Sequence, residues 1–295
     1  MQLKSKTIAG TEPGPHLLVT GGVHGDEFEP MAAIRRLIHE TDASRIRGRV
    51  TFVPVVNEAA YWSGHRCADD GLDLARTCPG RAEGSITEQT AHALTQLIRS
   101  ADAYVDLHTG GTTMSVLPMS GYMLHPKEGV LEQQRLMARA FNLPVIWGTD
   151  YRLNGRSLSV ARDAEVPAIY TENHGGARCD PAGVSNYVDG CLNVMAQLGM
   201  IDRPPPASKT KHVVEDDRDN SGYMQICNPA PMDGYFEPRV QLGEKIEIEQ
   251  PLGTVSGILG DETHTVKSRQ RGVLLTLRTF SRVFKDDPLA VVMEC

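Results

Sequence analysis

Two short motifs in this chain place imidazole and carboxylate side chains where apolar, strand-like segments end. The first reads Gly-Gly-Val-His-Gly-Asp-Glu at residues 21–27, so His24 and Glu27 lie three positions apart at a predicted strand-to-helix junction. The second reads Asp-Leu-His-Thr-Gly-Gly at residues 106–111 and places His108 at the end of another apolar run. Two histidines and one carboxylate are a ligand set of catalytic zinc, with the fourth position left to water. The pattern therefore predicts a metal-dependent hydrolase with one Zn²⁺ per chain.

Each of these residues, taken alone, has a simpler interpretation. A single His24 or His108 is more often a hydrogen-bonded or surface histidine, and Glu27 is an acid of the kind favoured in the first turn of a helix. The joint pattern favours the metal site. Asp106 lies two residues before His108 on the same strand face, so it can accept the second ring N–H of that histidine, and capping of a neighbouring loop is the open alternative.

Hydrolysis also needs a general base and a group that meets the negative charge developing on the attacked carbonyl. Glu172 is the predicted base because it follows a buried-looking strand and precedes Gly175 and Gly176. Its rivals, Glu165 and Glu88, lie in helical patterns where exposed glutamates are ordinary.

A long, turn-rich stretch covers residues 57–80 and carries Arg66 and Arg76. Loops of this length in compact domains are often functional, and an arginine in one can polarise a carbonyl or bind a carboxylate through two hydrogen bonds. Surface ion pairs with Asp69, Asp70 or Asp73 are an equally open interpretation for either arginine.

Strand and helix patterns alternate up to about residue 200 and predict an α/β fold with a mostly parallel sheet. The predicted strands cover residues 16–20, 49–56, 103–108, 115–124, 145–147 and 168–172. The predicted helices cover residues 29–40, 87–100, 128–141, 158–165 and 184–198. Ligands bind such sheets beyond the carboxyl ends of the strands, and His24, Asn57, His108 and Glu172 each follow or end a predicted strand.

The pattern changes after about residue 201. Consecutive prolines at 204–206 and a charged segment at 215–220 predict a linker over residues 202–221, following a first domain at residues 1–201. From Tyr223 onward, short β-like segments alternate with turns, which predicts a small all-β domain over residues 222–295. Lys267 lies near the position that a lipoyl or biotinyl carrier would modify, but a cap over the catalytic domain is the favoured interpretation.

Composition limits the classes of partner. A formal charge of −7 argues against nucleic acid or anionic membrane as the main partner. No apolar run approaches the roughly 20 residues of a membrane span, and residues 1–10 lack a secretory signal, which predicts a cytoplasmic protein. A homo-oligomer is compatible with the sequence. The cysteines show no C-x-x-C spacing, which favours reduced thiols, and they are Cys67, Cys78, Cys179, Cys191, Cys227 and Cys295.

Together these motifs resemble the succinylglutamate desuccinylase and aspartoacylase family of zinc-dependent amidohydrolases, relatives of the zinc carboxypeptidases. The resemblance implies a carboxypeptidase-like mixed, mostly parallel sheet flanked by helices, with a small C-terminal all-β domain. It implies zinc binding by His24, Glu27 and His108, with Glu172 as general base and acid. Arg66 would stabilise the oxyanion. The implied substrate-binding residues are Arg76, which would hold a substrate carboxylate, and Asn57 and Asp73.

One departure from the family pattern concerns the substrate. The family usually reads Asp-Leu-Asn-Arg where this chain has Ala75 before Arg76, and alanine cannot donate a side-chain hydrogen bond. Cys78 also stands where an aromatic residue is common. The expected activity is hydrolysis of the amide bond of an N-acylated amino acid or a related small N-acyl amine. The alternatives are a zinc carboxypeptidase acting on short peptides and a non-catalytic, metal-dependent binder of small molecules.

Overall fold

The computed structural model describes residues 1–221 and 228–294. Tyr223, where the β-like pattern begins, and Cys227 and Cys295, two of the predicted reduced thiols, lie outside the described residues. Within these ranges no helix combines the length and the apolar character that crossing a membrane requires.

The first two thirds of the chain alternate strands and helices. The strands are β1 (Lys6–Ala9), β2 (Glu12–Thr20), β3 (Arg47–Val53), β4 (Ala103–His108), β5 (Met114–Met123), β6 (Val145–Thr149), β7 (Ala168–Gly175) and β8 (His212–Glu215). The helices are α1 (Phe28–Glu40), α2 (Glu58–Ser63), α3 (Ile86–Arg99), α4 (Glu128–Phe141), α5 (Ser157–Asp163) and α6 (Pro181–Gln197). Short 3₁₀ turns cover Ala43–Arg45 and Leu74–Arg76.

These strands form one mixed sheet in which β3, β2, β4 and β7 are parallel neighbours in that order. The long strand β5 runs antiparallel to β7, and its second half pairs in parallel with β6. Helices cover both faces, as parallel strands that are buried on both sides require. The α/β fold with a mostly parallel, helix-flanked sheet is therefore confirmed.

Alternate residues of the strands supply two separate hydrophobic layers. Leu17 and Val105 point to the layer formed with α1, α4 and α6. Leu18 and Tyr104 point to the opposite layer, formed with α3 and α5. This alternation fixes which strand residues lie under helices, because a shift of one residue would reverse the faces.

All the predicted strands and helices of this part are observed, with ends that differ by a few residues. Three short elements escaped sequence analysis: β1, the six-residue α2 and β8. β8 lies inside the predicted linker and pairs in parallel with β6 at the edge of the main sheet, so residues 212–215 differ from the expected connecting segment. Its alternating half-buried and exposed residues fit an edge strand, a pattern that the neighbouring prolines and charges obscured.

The strands of the C-terminal part belong to two different sheets. Strands β9 (Gly234–Pro238), β11 (Pro251–Ser256), β12 (Thr263–Lys267) and β14 (Arg282–Val283) form a separate antiparallel sheet around Phe236. Strands β10 (Lys245–Ile246), β13 (Gly272–Arg278) and β15 (Ala290–Met293) extend the main sheet, where β13 runs antiparallel to the first half of β5. The small antiparallel sheet is as expected, whereas the continuity of β13 with the main sheet was not. The domain limits at residues 201 and 222 stay predictions.

Candidate metal centre and active site

The sheet order brings the first predicted site residues together. Strands β2, β4 and β7 are adjacent and parallel, so their carboxyl ends meet at one edge. His24 follows β2, Glu27 immediately precedes α1, and His108 is the last residue of β4. Glu172 is the register partner of His108, and it lies within β7 instead of after it because that strand continues to Gly175.

His24, Glu27 and His108 form one buried cluster of possible metal ligands. Their ligand atoms all lie within 4.8 Å of one another. The Glu27 carboxylate lies between the rings, 2.6 Å from Nδ1 of His24 and 3.0 Å from Nδ1 of His108. Burial alone would raise the pKa of Glu27, but the two imidazoles hold it below its usual value. The cluster therefore keeps a carboxylate ionised in a buried site.

Asp106 supports His108 from the side away from this cluster. Its Oδ2 lies 3.2 Å from Nε2 of His108, and it accepts hydrogen bonds from the hydroxyls of Thr20 at 2.8 Å and Ser157 at 2.5 Å. Burial raises the pKa of Asp106, and His108 with the two hydroxyls lowers it below its usual range. These contacts favour the outer-partner interpretation of Asp106 over a loop cap.

Asp73 has a similar relation to His24. Its Oδ1 lies 3.1 Å from Nε2 of His24, and its Oδ2 accepts from Nη2 of Arg66 at 3.1 Å. It also accepts from the backbone N–H of Ala75 at 2.9 Å. Substrate binding by Asp73 stays a prediction, while the contacts show a residue that orients His24 and Arg66.

The side chain of Glu172 is half-buried, and its Oε2 is a buried atom without a hydrogen bond among the described residues. Burial raises its pKa to about 8, with the charge of Glu27 adding to the effect and that of His108 opposing it. The rival acids are occupied elsewhere: Glu165 pairs with Lys127 at the surface, and Glu88 forms a capping box with Ser85 at the start of α3. The geometry favours Glu172 over both.

The predicted arginines and Asn57 have different surroundings. Nη1 of Arg66 lies 3.9 Å from Oε1 of Glu27, beside the ligand cluster. Nη1 of Arg76 donates to the carbonyl of Ala75 at 2.8 Å, and both residues line the adjoining cavity. Asn57 is buried and caps α2, where its Oδ1 accepts from the N–H of Ala60 at 3.1 Å. It is absent from the cavity lining described by the structure, and substrate contact by Asn57 stays a prediction.

A cavity of about 490 Å³ adjoins the cluster, within the range of small-molecule sites. One wall comes from the C-terminal part of the chain, a contribution that sequence analysis missed. It consists of Thr276, Arg278, Arg282, Phe284, Asp287 and Pro288. No local motif could have found this wall, because it depends on the pairing of β13 with β5.

The chain matches the family model described as the succinylglutamate desuccinylase/aspartoacylase catalytic domain over residues 13–198. This chain belongs to the succinylglutamate desuccinylase/aspartoacylase family. The predicted resemblance is thereby confirmed. The matched region contains His24, Glu27, His108 and Glu172, and it ends before the strands that complete the cavity wall.

Relatives within the family match nearly the whole chain. The N-alpha-acetyl-L-2,4-diaminobutyric acid deacetylase of Halomonas elongata is 29% identical and aligns with 98% of this chain and 84% of its own length. A succinylglutamate desuccinylase/aspartoacylase structure from Rhodobacter sphaeroides is 28% identical, with a TM-score of 0.88 and coverage of 98% and 88%. The product-bound ectoine utilization protein EutE (DoeB) from Ruegeria pomeroyi is 25% identical, with a TM-score of 0.88 and coverage of 99% and 88%. Homologues of this chain are therefore deacylases.

The residues of this family site fit a divalent metal ion. Two imidazoles and a carboxylate are the donor types that zinc accepts, and carboxylates behind both rings are the outer partners common to metal-binding histidines. The unpaired Oε2 of Glu172 is an acceptor that a water molecule at the metal could satisfy. The donor set and the unpaired oxygen thus agree with a hydrolytic metal site.

Proposed function

We propose that this protein is a zinc-dependent deacylase that hydrolyses the amide bond of an N-acylated amino acid or a related small N-acyl amine. Family membership supports the reaction class. The similarity to the deacetylase of Halomonas elongata, whose name specifies an acetylated diamino acid, supports a small amino-acid substrate. The observation that carries the proposal is the Glu172 carboxyl group, which lines the cavity beside the His24–Glu27–His108 cluster and has one buried oxygen unpaired.

Zinc held by His24, Glu27 and His108 would supply a Lewis acid that lowers the pKa of water and polarises a carbonyl. Glu172 accepts the proton of the attacking water and then donates it to the leaving amine nitrogen. Its raised pKa suits both steps, because a base and acid works best with a pKa near the operating pH. Arg66 directs its N–H groups to the charge that develops on the carbonyl oxygen.

The substrate carboxylate is assigned to Arg76. Arg76 is a lining residue of the cavity, and the planar set of donors of a guanidinium suits a carboxylate. Ala75 adds a methyl group to the cavity wall at this point and offers no side-chain hydrogen bond. Arg76 would therefore bind the carboxylate without help from the neighbouring side chain.

An activity screen of the zinc-loaded protein tests this function. The panel contains N-acetyl and N-succinyl amino acids, N-acetyl diamines and short peptides. We expect turnover of at least one N-acyl amino acid or amine. Preference for peptides would indicate a carboxypeptidase, and stoichiometric zinc with no turnover across the panel would contradict the proposal.

Glu172→Gln tests the assignment of the base. We expect kcat to fall about 10²- to 10⁴-fold while zinc content stays at the wild-type level. Glu165→Gln is the matched control, since that residue lies in an ion pair at the surface, and it should retain wild-type turnover. Near wild-type activity of Glu172→Gln would show that another group moves the proton.

We also propose that the protein works in the cytoplasm with its thiols reduced. The described cysteines support this, because all are free: Cys67, Cys78, Cys179 and Cys191. Burial raises the pKa of Cys78 to about 12, which suppresses its thiolate and its reactivity. Counting free thiols in protein purified without reductant checks the assignment, and fewer free thiols than cysteines would contradict it.

A further inference from the structure

We propose that Asp26 is a positioning residue that holds the loop of residues 109–113, and through it the C-terminal wall of the cavity, in the geometry that binds substrate. Asp26 lies between His24 and Glu27 in sequence but does not line the cavity described by the structure. It is 8% exposed and adjoins the 109–113 loop, which follows β4 directly.

Two consecutive acids hold this loop at its two ends. Oε2 of Glu27 accepts from the backbone N–H of Thr109 at 3.2 Å. Oδ2 of Asp26 accepts from the backbone N–H of Thr112 at 2.8 Å. Glu27 therefore fixes the start of the loop next to the metal cluster, and Asp26 fixes its far end.

The fit between Asp26 and the loop is tight. A Cβ atom on Gly111 would lie 2.7 Å from Oδ2 of Asp26, closer than any side chain tolerates, and the φ of Gly111 is +57°. Only glycine satisfies both conditions without strain. The loop therefore packs directly on the Asp26 carboxylate, and a side chain that vacates this space removes both the hydrogen bond and the contact.

The far end of the loop supports the C-terminal wall. The carbonyl of Thr113 accepts from the backbone N–H groups of Thr279 at 2.9 Å and Phe280 at 3.3 Å. Residues 279 and 280 connect β13 to the segment that supplies Arg282, Phe284 and Asp287 to the cavity. Asp26 thus links the metal-ligand motif to a wall that begins at Thr276, far later in the chain, through two short steps of hydrogen bonding.

This link acts on substrate binding more than on the proton transfers. Glu172 and Arg66 take no hydrogen bond from the 109–113 loop among the described contacts, whereas Thr109, Gly110 and Thr113 line the cavity. The loop does contact the end of β7, where the carbonyl of His174 accepts from the N–H of Gly110 at 2.9 Å, but Glu172 is paired with β4 two residues earlier in that strand. We therefore expect displacement of the loop to move the wall more than the base. A misplacement of this kind lowers kcat/KM by up to about 10²-fold when it separates the substrate from the reacting groups.

The test compares Asp26→Ala with Asp26→Asn in the zinc-loaded protein, and its kinetic measurements rest on the proposed deacylase activity. Asn keeps an oxygen that accepts from Thr112, whereas Ala has none. We expect Asp26→Ala to raise KM about 10-fold or more with kcat within about twofold, and Asp26→Asn to stay within about threefold of wild type in KM. Asp42→Ala is the control, because Asp42 accepts from the N–H of Ser44 in a turn beyond the far end of α1.

Hydrogen exchange of the same holoproteins supplies a measurement that needs no substrate. Asp26→Ala should speed exchange of residues 109–113 and 279–280, and Asp26→Asn and Asp42→Ala should not. If Asp26→Ala yields no folded protein, Asp26→Ser replaces it, because its shorter hydroxyl cannot reach Thr112. The proposal is overturned if exchange is unchanged in both segments of Asp26→Ala. It is also overturned if the Ala and Asn variants show equal defects, or if Asp26→Ala loses zinc and its kcat falls. Absence of turnover in the wild type with the expected exchange pattern would instead count against the deacylase function alone.

Discussion

Asp106→Asn should weaken zinc binding about 10- to 100-fold while the protein stays folded, which corresponds to about 1.4 to 2.8 kcal/mol of binding free energy. The side chain is fully buried and faces three groups: Nε2 of His108, the hydroxyl of Thr20 and the hydroxyl of Ser157. A carboxylate can accept from all three. An amide replaces one acceptor by a donor, so a group that faces the NH₂ must accept instead of donate or lose its hydrogen bond.

The cost depends on which contact fails. If the amide NH₂ faces His108, Nε2 must become an acceptor and the ring proton must move to Nδ1. Nδ1 is the nitrogen that lies 3.0 Å from Glu27 in the ligand cluster, and once protonated it has no lone pair for a metal. If the NH₂ instead takes the place of Oδ1 and faces Thr20, whose hydroxyl can also accept, His108 keeps its tautomer and the loss stays near the lower limit.

Competition with a chromophoric chelator measures the zinc dissociation constant of each variant. Asp102→Asn is the matched control, because Asp102 precedes the same strand and accepts from the backbone N–H of His16 at 2.8 Å, away from the ligand cluster. An Asp106→Asn protein that binds zinc within twofold of wild type would refute the role of the outer carboxylate. An equal loss in Asp102→Asn would assign the effect to general destabilisation.

Three further changes have defined outcomes. In metal-free protein, burial raises the pKa of Glu172 to about 8 from its ordinary value of 4.5. Between these two pH values the folded state keeps a proton that the unfolded state has released, so the free energy of unfolding falls as pH rises through this interval. The melting temperature of Glu172→Gln relative to wild type should therefore increase from pH 4.5 to 8, and a constant difference would contradict the pKa. Gly183→Ala should lower the free energy of unfolding in urea by about 1–3 kcal/mol, because the new Cβ would lie 2.5 Å from Nδ2 of Asn173. As a control, Gly129→Ala places its Cβ in open space and should raise the free energy of unfolding by up to about 1 kcal/mol. Phe236→Ala should lower the free energy of unfolding by about 3–5 kcal/mol, because this side chain is 1% exposed in the core of the separate sheet. A decrease below about 1 kcal/mol would show that this sheet contributes little to the stability of the fold.

The proximity of His24, Glu27 and His108 could be predicted from the sequence because it follows from local patterns. His108 ends a strand and His24 follows a parallel neighbour, so the sheet itself brings them together. Glu27 needs only the turn between β2 and α1 to reach both rings. The positions of residues that depend only on one strand and the turn after it can therefore be predicted from the sequence.

Other positions depend on contacts that no short pattern encodes. Asn57 follows a predicted strand just as His24 does, yet its side chain caps α2, and only the path of the following residues distinguishes the two outcomes. The carboxylate of Asp73 turns to His24, a contact between residues 49 positions apart. Arg282 and Asp287 reach the cavity because β13 pairs with β5, and this register is set by packing of the whole sheet.

The hydrogen bonding of β13 to β5 also has a consequence for biosynthesis. A nascent chain that has emerged only as far as β8 already contains His24, Glu27 and His108. One side of the cavity around them is still missing, and β13, the neighbour of the first half of β5, has not been synthesised. Catalytic competence should therefore appear late in translation, when β13 and the segment after it have been synthesised. For the same reason, a chimera that exchanges the C-terminal part between two homologues would inherit a new sheet neighbour together with a new pocket lining.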